Sequence, residues 1–204
     1  MIVDVLAGRD VLDAGEAETA YIFAPSLRAL PKGLPLVMAT LPIVDWNAVL
    51  LQALGEMDPV DGRRCYAAVL MIDPFTLWDD LADLLSNKGF AGVVNFPPAV
   101  IAEGFPASVD VENAIEIERL KWFADSGLRL AFTATSAEEV ANAEARLPGR
   151  LDAIVHMPAE SWEHPVSERI ELRQAASKGA SSALPVWALA TDDSSTATPV
   201  SSGS

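Results

Sequence analysis

Short, nearly continuous apolar runs alternate along the chain with longer segments in which apolar and charged residues recur at helical spacing. The runs fall at residues 2–7, 20–24, 34–40, 66–72, 92–96, 128–134, 152–157 and 184–190. Apolar stretches of this length that do not alternate suit parallel strands covered on both faces. Between them, residues 75–87 place Leu77, Trp78, Leu81, Leu84 and Leu85 on one helical face. Residues 111–126 do the same for Ile117, Leu120, Phe123 and Ala124. Ser136 with Glu139 forms a capping box ahead of an Ala- and Glu-rich helix, and Thr76 with Asp79 resembles another. Gly89, Gly127 and Gly149 stand where a helix gives way to a strand.

Eight strands separated by helices predict an α/β fold, a (β/α)8 TIM barrel of parallel strands, with an open doubly wound sheet as the fallback. Such barrels usually run to about 250 residues. At 204 residues the connections at 10–19 and 25–33 have room for little more than a stub helix and a single turn. The barrel is therefore expected to be small or incomplete, a single domain over residues 1–190. Residues 191–204, low in large apolar side chains, read as a flexible tail.

Composition narrows the partners. Half the residues are hydrophobic and 21 % are charged, a globular balance. The net charge of −15 opposes a phosphate backbone and an anionic membrane surface, so neither nucleic acid nor membrane is expected. Cys65 stands alone, which excludes an internal disulfide and a cysteine metal cluster within one chain. Residues 1–10 do not read as a signal peptide and no apolar run reaches the ~20 residues of a bilayer span, so a cytoplasmic location is expected. Walker, GxGxxG, GxSxG and HExxH motifs are absent from the sequence.

In a parallel α/β fold, ligands gather at the carboxyl ends of the strands. The polar residues there are Ser26, Asp45, Asp73, Asn95, Glu103, Thr133, Thr135, His156, Asp192 and Asp193. Asp73 ends the run AAVLMID; it reads as a ligand for a divalent metal or an orienting base, or else as a helix cap with Pro74 at the first helical position. Asn95 interrupts an apolar strand, where its amide either holds a substrate oxygen or ties two strands together. His156, late in a strand, is a candidate acid–base group or a hydrogen-bonded core residue. His164 lies in a polar run and reads as surface.

The segment DPFTLWDDLADLLSNKGFAGVVNFPPAVIAEG, residues 73–104, resembles the phosphoenolpyruvate hydrolase-like TIM-barrel family, also called TIM-barrel signal-transduction proteins. Asp73, Pro74 and Phe75 match one motif of that family; Gly89, Phe90, Gly92, Val93, Asn95, Phe96 and Pro97 match a second. His156-Met157 matches a third. The family is similar in turn to the isocitrate lyase and phosphoenolpyruvate mutase group. The resemblance implies a ligand that is a small carboxylate, a 2-oxo acid, or a phosphorylated enol acid, and a metal-assisted lyase or hydrolase using Mg²⁺. By this resemblance Asp73 would be catalytic and the metal-side carboxylate, Asn95 and His156 would contact substrate oxygens, and His156 would be the other catalytic group; Ser26 and Thr133 join Asn95 as substrate-binding candidates by their place at strand ends.

This chain departs from the family pattern at its mouth loops. The glycine-rich turn after the first strand has no counterpart, and PAESW follows His156-Met157 where the family has glycine and threonine. A divergent member is implied. The alternative is a catalytically inactive relative, a homo-oligomer or interaction module whose short connections leave apolar barrel wall to be covered by a partner.

Overall fold

A computed structural model of the protein describes residues 2–7, 20–41, 43–60, 64–102, 109–175 and 184–189. The expectations on residues 10–19, on Glu103, on Asp192 and Asp193 and on the tail fall outside them. Eight strands close into one barrel: β1 (Ile2–Leu6), β2 (Ala20–Phe23), β3 (Cys65–Val69), β4 (Gly92–Asn95), β5 (Arg129–Ala134), β6 (Leu151–His156), β7 (Arg169–Gln174) and β8 (Val186–Leu189). They run around the barrel in the order β1-β2-β3-β4-β5-β6-β8-β7. Described helices are α1 (Trp46–Glu56), α2 (Trp78–Asn87), α3 (Ala99–Ala102), α4 (Val109–Asp125) and α5 (Ala137–Arg146), with short 3-10 helices at Pro25–Ala29, Leu36–Thr40 and Ala159–Glu163.

The sheet is mixed, which corrects the expectation of parallel strands throughout. From β1 to β6 each strand pairs in parallel with the next, and β8 pairs in parallel with β6. β7 lies antiparallel between β8 and β1 and closes the barrel. An antiparallel neighbour needs no crossover helix, so β7 returns directly after the 3-10 turn at Ala159–Glu163. Its outer face carries Arg169, Glu171 and Arg173 while Ile170 and Leu172 are buried, the alternation of a strand solvated on one side. The segment at 34–40, expected as a strand, is instead mostly the 3-10 helix Leu36–Thr40. Pro35 makes only an isolated bridge to Pro165, and Leu36 and Ala39, three apart, are its buried residues.

Two apolar layers follow from strand alternation. The interior of the barrel holds Ile22, Tyr66, Val94, Val155, Leu172 and Trp187, with small neighbours such as Ala20, Ala68, Ala131 and Ala153. The outer layer joins Phe23, Val69, Val93, Phe132 and Ile154 to the helix faces formed by Leu50 and Leu54, Leu81 and Leu85, and Ile117, Leu120 and Phe123. Gly89, Gly127 and Gly149 take φ of 77°, 90° and 68°, the left-handed conformation that ends a helix before the next strand. No described helix is long and apolar enough to cross a membrane.

Candidate functional site

At the carboxyl end of β3 the chain turns through Asp73 before α2 begins at Trp78. The helix therefore starts later than Pro74, and Asp73 is not its cap. Instead Asp73 Oδ1 accepts the Phe75 amide at 2.9 Å, a side-chain turn two residues long. Its Oδ2 accepts the Thr76 hydroxyl at 2.5 Å and Asn47 Nδ2 at 3.3 Å. Thr76 is thus spent on Asp73 rather than on a capping box, and Leu77, the N-cap residue, makes no side-chain cap. Asn47, buried on the first turn of α1, also gives Nδ2 to Leu70 O at 2.9 Å and takes the Leu70 amide on Oδ1 at 3.0 Å. Nothing in the local sequence around Asn47 marks it; only the docking of α1 beside β3 brings it there.

A cavity of about 350 Å³ opens beside this knot, with Asp45, Trp46, Leu70, Asp73, Phe75 and Pro97 among its walls. Asp45 caps α1, its Oδ1 accepting the Ala48 amide at 3.0 Å. Aromatic rings form a plug continuous with the barrel's interior layer: Phe96 stacks on Trp162 with centroids 5.7 Å apart, and Trp46 tilts against Phe96 at 5.9 Å. The indole N–H groups of Trp46 and Trp162 donate to Ala68 O at 3.3 Å and Met157 O at 3.1 Å, anchoring that plug.

The other candidates lie elsewhere. Ser26 is buried in the 3-10 helix after β2, and its hydroxyl donates to Trp46 O at 2.9 Å. Asn95 is fully buried and faces outward from β4, toward α4. The backbone pairing of β4 with β5 stops at Val94 and Ala131, and the Asn95 amide supplies the next rung. Its Oδ1 accepts the Thr133 amide at 2.7 Å and its Nδ2 donates to Thr133 O at 3.2 Å. Nδ2 also donates at 3.2 Å to the buried carboxylate of Glu116, which accepts the Ala99 amide at 2.8 Å. This is the strand-tying alternative for Asn95 seen in atomic detail. Alternation turns His156, half-buried, to the outer face of β6 with Ile154, away from Val155 inside. Asp73, Asn95 and His156 therefore do not converge.

Thr133 faces the barrel interior. Its hydroxyl and the Trp187 indole N–H are buried without a hydrogen-bond partner, and both residues sit on one register row through Val155. At the opposite end of the barrel, Tyr66 donates to Asp152 Oδ2 at 2.9 Å, and Arg129 pairs with the same oxygen at 2.6 Å. Burial, and then the Asp152 carboxylate, push the Tyr66 phenol well above its ordinary range. Gly92 makes room for the ring: a Cβ there would stand 2.9 Å from Tyr66 Cε1 and 2.0 Å from Arg129 O.

The structure defines the chain as a closed, mixed eight-stranded α/β barrel. No protein-family model matches it. Two tomato (Solanum lycopersicum) proteins, the ToMV resistance protein Tm-1(GCR237) and the ToMV susceptible protein tm-1(GCR26), are each 37 % identical to it over 65 residues. That stretch is 31 % of this chain and spans only 9 % of the length of either relative.

Proposed function

We propose that the protein is a divergent, trimmed TIM-type barrel that binds a small carboxylate or phosphorylated enol acid at the carboxyl end of β3. The single observation carrying this reading is that Asp45 and Asp73 share the walls of one cavity. Neither Lys, Arg nor His stands among its described lining residues. An anionic ligand would therefore need a cation brought with it, as the implied Mg²⁺ would be. Mg²⁺ is commonly held by one or two carboxylates and keeps several waters, so it would ask for no more than this pair; among the described residues there is no group of three or more His, Cys, Asp or Glu.

Asp73 and Asp45 would hold the ion. When bound, it would offset the ligand's negative charge and stabilise charge that develops on an enolate. Asn47 and Thr76 hold the Asp73 carboxylate in one orientation, and a carboxylate retains acceptor sites beyond the three donors it meets here. Ser26, Asn95, Thr133 and His156 do not line the cavity, so none of them would touch a ligand held there. Calorimetry with oxaloacetate, pyruvate and phosphoenolpyruvate, with and without Mg²⁺, tests the reading. Binding that requires Mg²⁺ and disappears in Asp73→Ala is expected; no binding, or binding indifferent to Asp73→Ala, removes it.

A second reading, a non-catalytic module working through contact with another protein, is favoured by apolar side chains standing in solvent around the same cavity, Phe75 foremost.

A further inference from the structure

We infer that the surface around Phe75 docks a partner protein presenting an apolar anchor flanked by Lys and Arg. This rests on the second reading and names the partner's chemistry. Phe75 is 87 % exposed, Leu77 66 %, Ile43 58 % and Leu41 43 %. These are not scattered singly: Leu41 and Phe75 border the same 350 Å³ cavity, Ile43 lies between its wall residues Leu41 and Val44, and Leu77 follows Phe75 by two residues. An apolar side chain that protrudes beside an apolar hollow gains nothing from its own fold. Leu70, Ile72 and Pro97 line the hollow, so an incoming side chain of leucine or phenylalanine size would be desolvated there.

Charge decides the kind of partner. Asp45 and Asp73 lie in the cavity wall, and Asp79 and Asp80 follow Leu77 in the exposed first turn of α2. Arg119 of α4 lies over Trp78 and shares a hollow with Asp79 and Asp80, but no Lys or Arg stands among the described residues lining the cavity at Asp45 and Asp73, and the whole chain carries −15. A second copy would bring the same acidic rim against this one, an arrangement of like charges that costs association. A basic rim on the partner reverses the sign and steers the encounter.

Peptide display against the full chain, counter-selected with a Phe75→Ser/Leu77→Ser variant, tests this. Both side chains are exposed, and circular dichroism verifies that the variant is folded. The expected result is enrichment of peptides that combine Leu, Phe or Trp with Lys or Arg. A synthetic peptide of the enriched sequence should bind the wild type about tenfold or more tighter than the variant. Its affinity should fall as salt rises from about 0.05 to about 0.5 M. Enriched peptides that are acidic, or that bind the variant equally, overturn the inference. Concentration-dependent sedimentation of the wild type that Phe75→Ser abolishes keeps the interaction reading but assigns the surface to a second copy, and overturns the inference. A monomer that enriches no peptide removes both.

Discussion

Asp73 and Asn95 stand at the carboxyl ends of adjacent strands, and the surroundings of each give it a different use. Asp73 has left its strand and sits in a turn, where three donors orient its carboxylate beside an open cavity. Asn95 is still within its strand and faces outward, so its amide is consumed by Thr133 and Glu116 beneath α4. A polar group near a strand end is available for chemistry only if it lies past the point where strand and helix seal together. Two residues that look alike as interruptions of apolar runs are thus separated by facing and by depth.

The comparison is broken most forcefully at Asn95. Asn95→Ala removes the side-chain partner of the buried Thr133 amide and carbonyl and one donor to the Glu116 carboxylate, at a cost of about 3 kcal/mol. Thermal unfolding should move down by roughly 6–12 °C; a shift below about 2 °C would show that the rung is dispensable. At Asp73 the contrast sharpens. Asp73→Ala should cost about 1–2 kcal/mol from lost turn hydrogen bonds, measurable by urea denaturation. It should also abolish Mg²⁺-dependent ligand binding, whereas an Asn95→Asp protein that remains folded should retain that binding.

Tyr66 offers a third polar setting, inside the barrel, and its signature is pH. Its folded-state pKa is raised above the unfolded value of about 10. The stability contributed by the neutral phenol is therefore complete below about pH 10 and is lost as pH rises toward the folded pKa. Tyr66→Phe should cost about 1 kcal/mol at neutral pH. It should also flatten the decline in melting temperature above pH 10 relative to wild type; parallel alkaline limbs would remove the assignment. The smallest effect is expected at His156, on the outer face of β6 and away from the cavity. His156→Ala should change stability by less than about 1 kcal/mol and leave ligand binding unaltered, as calorimetry on the same ligands would show.

Much of this architecture is legible before any coordinates. Continuous apolar runs marked β1 to β6 and β8, 3.6-residue periodicity marked α2 and α4, and a capping box marked α5. Ser136 caps α5 through the Glu139 amide as its spacing predicts. Each of these is a short-range property, set by backbone sterics and by neighbours within a few residues. Even β7 has a local signal, the alternation in RIELRQ, hidden because it is the pattern of a solvated antiparallel strand rather than of a covered parallel one.

What closure of the barrel alone decided is which strand lies beside which and what each side chain meets. That β7 slips between β8 and β1, that Asn47 reaches across from α1 to clasp the turn at Asp73, and that Phe96, Trp46 and Trp162 form one plug are contacts between residues distant in sequence. Apolar periodicity says that a face is buried but not against what. The cavity between Asp45 and Asp73 therefore exists only once helix and strand have docked.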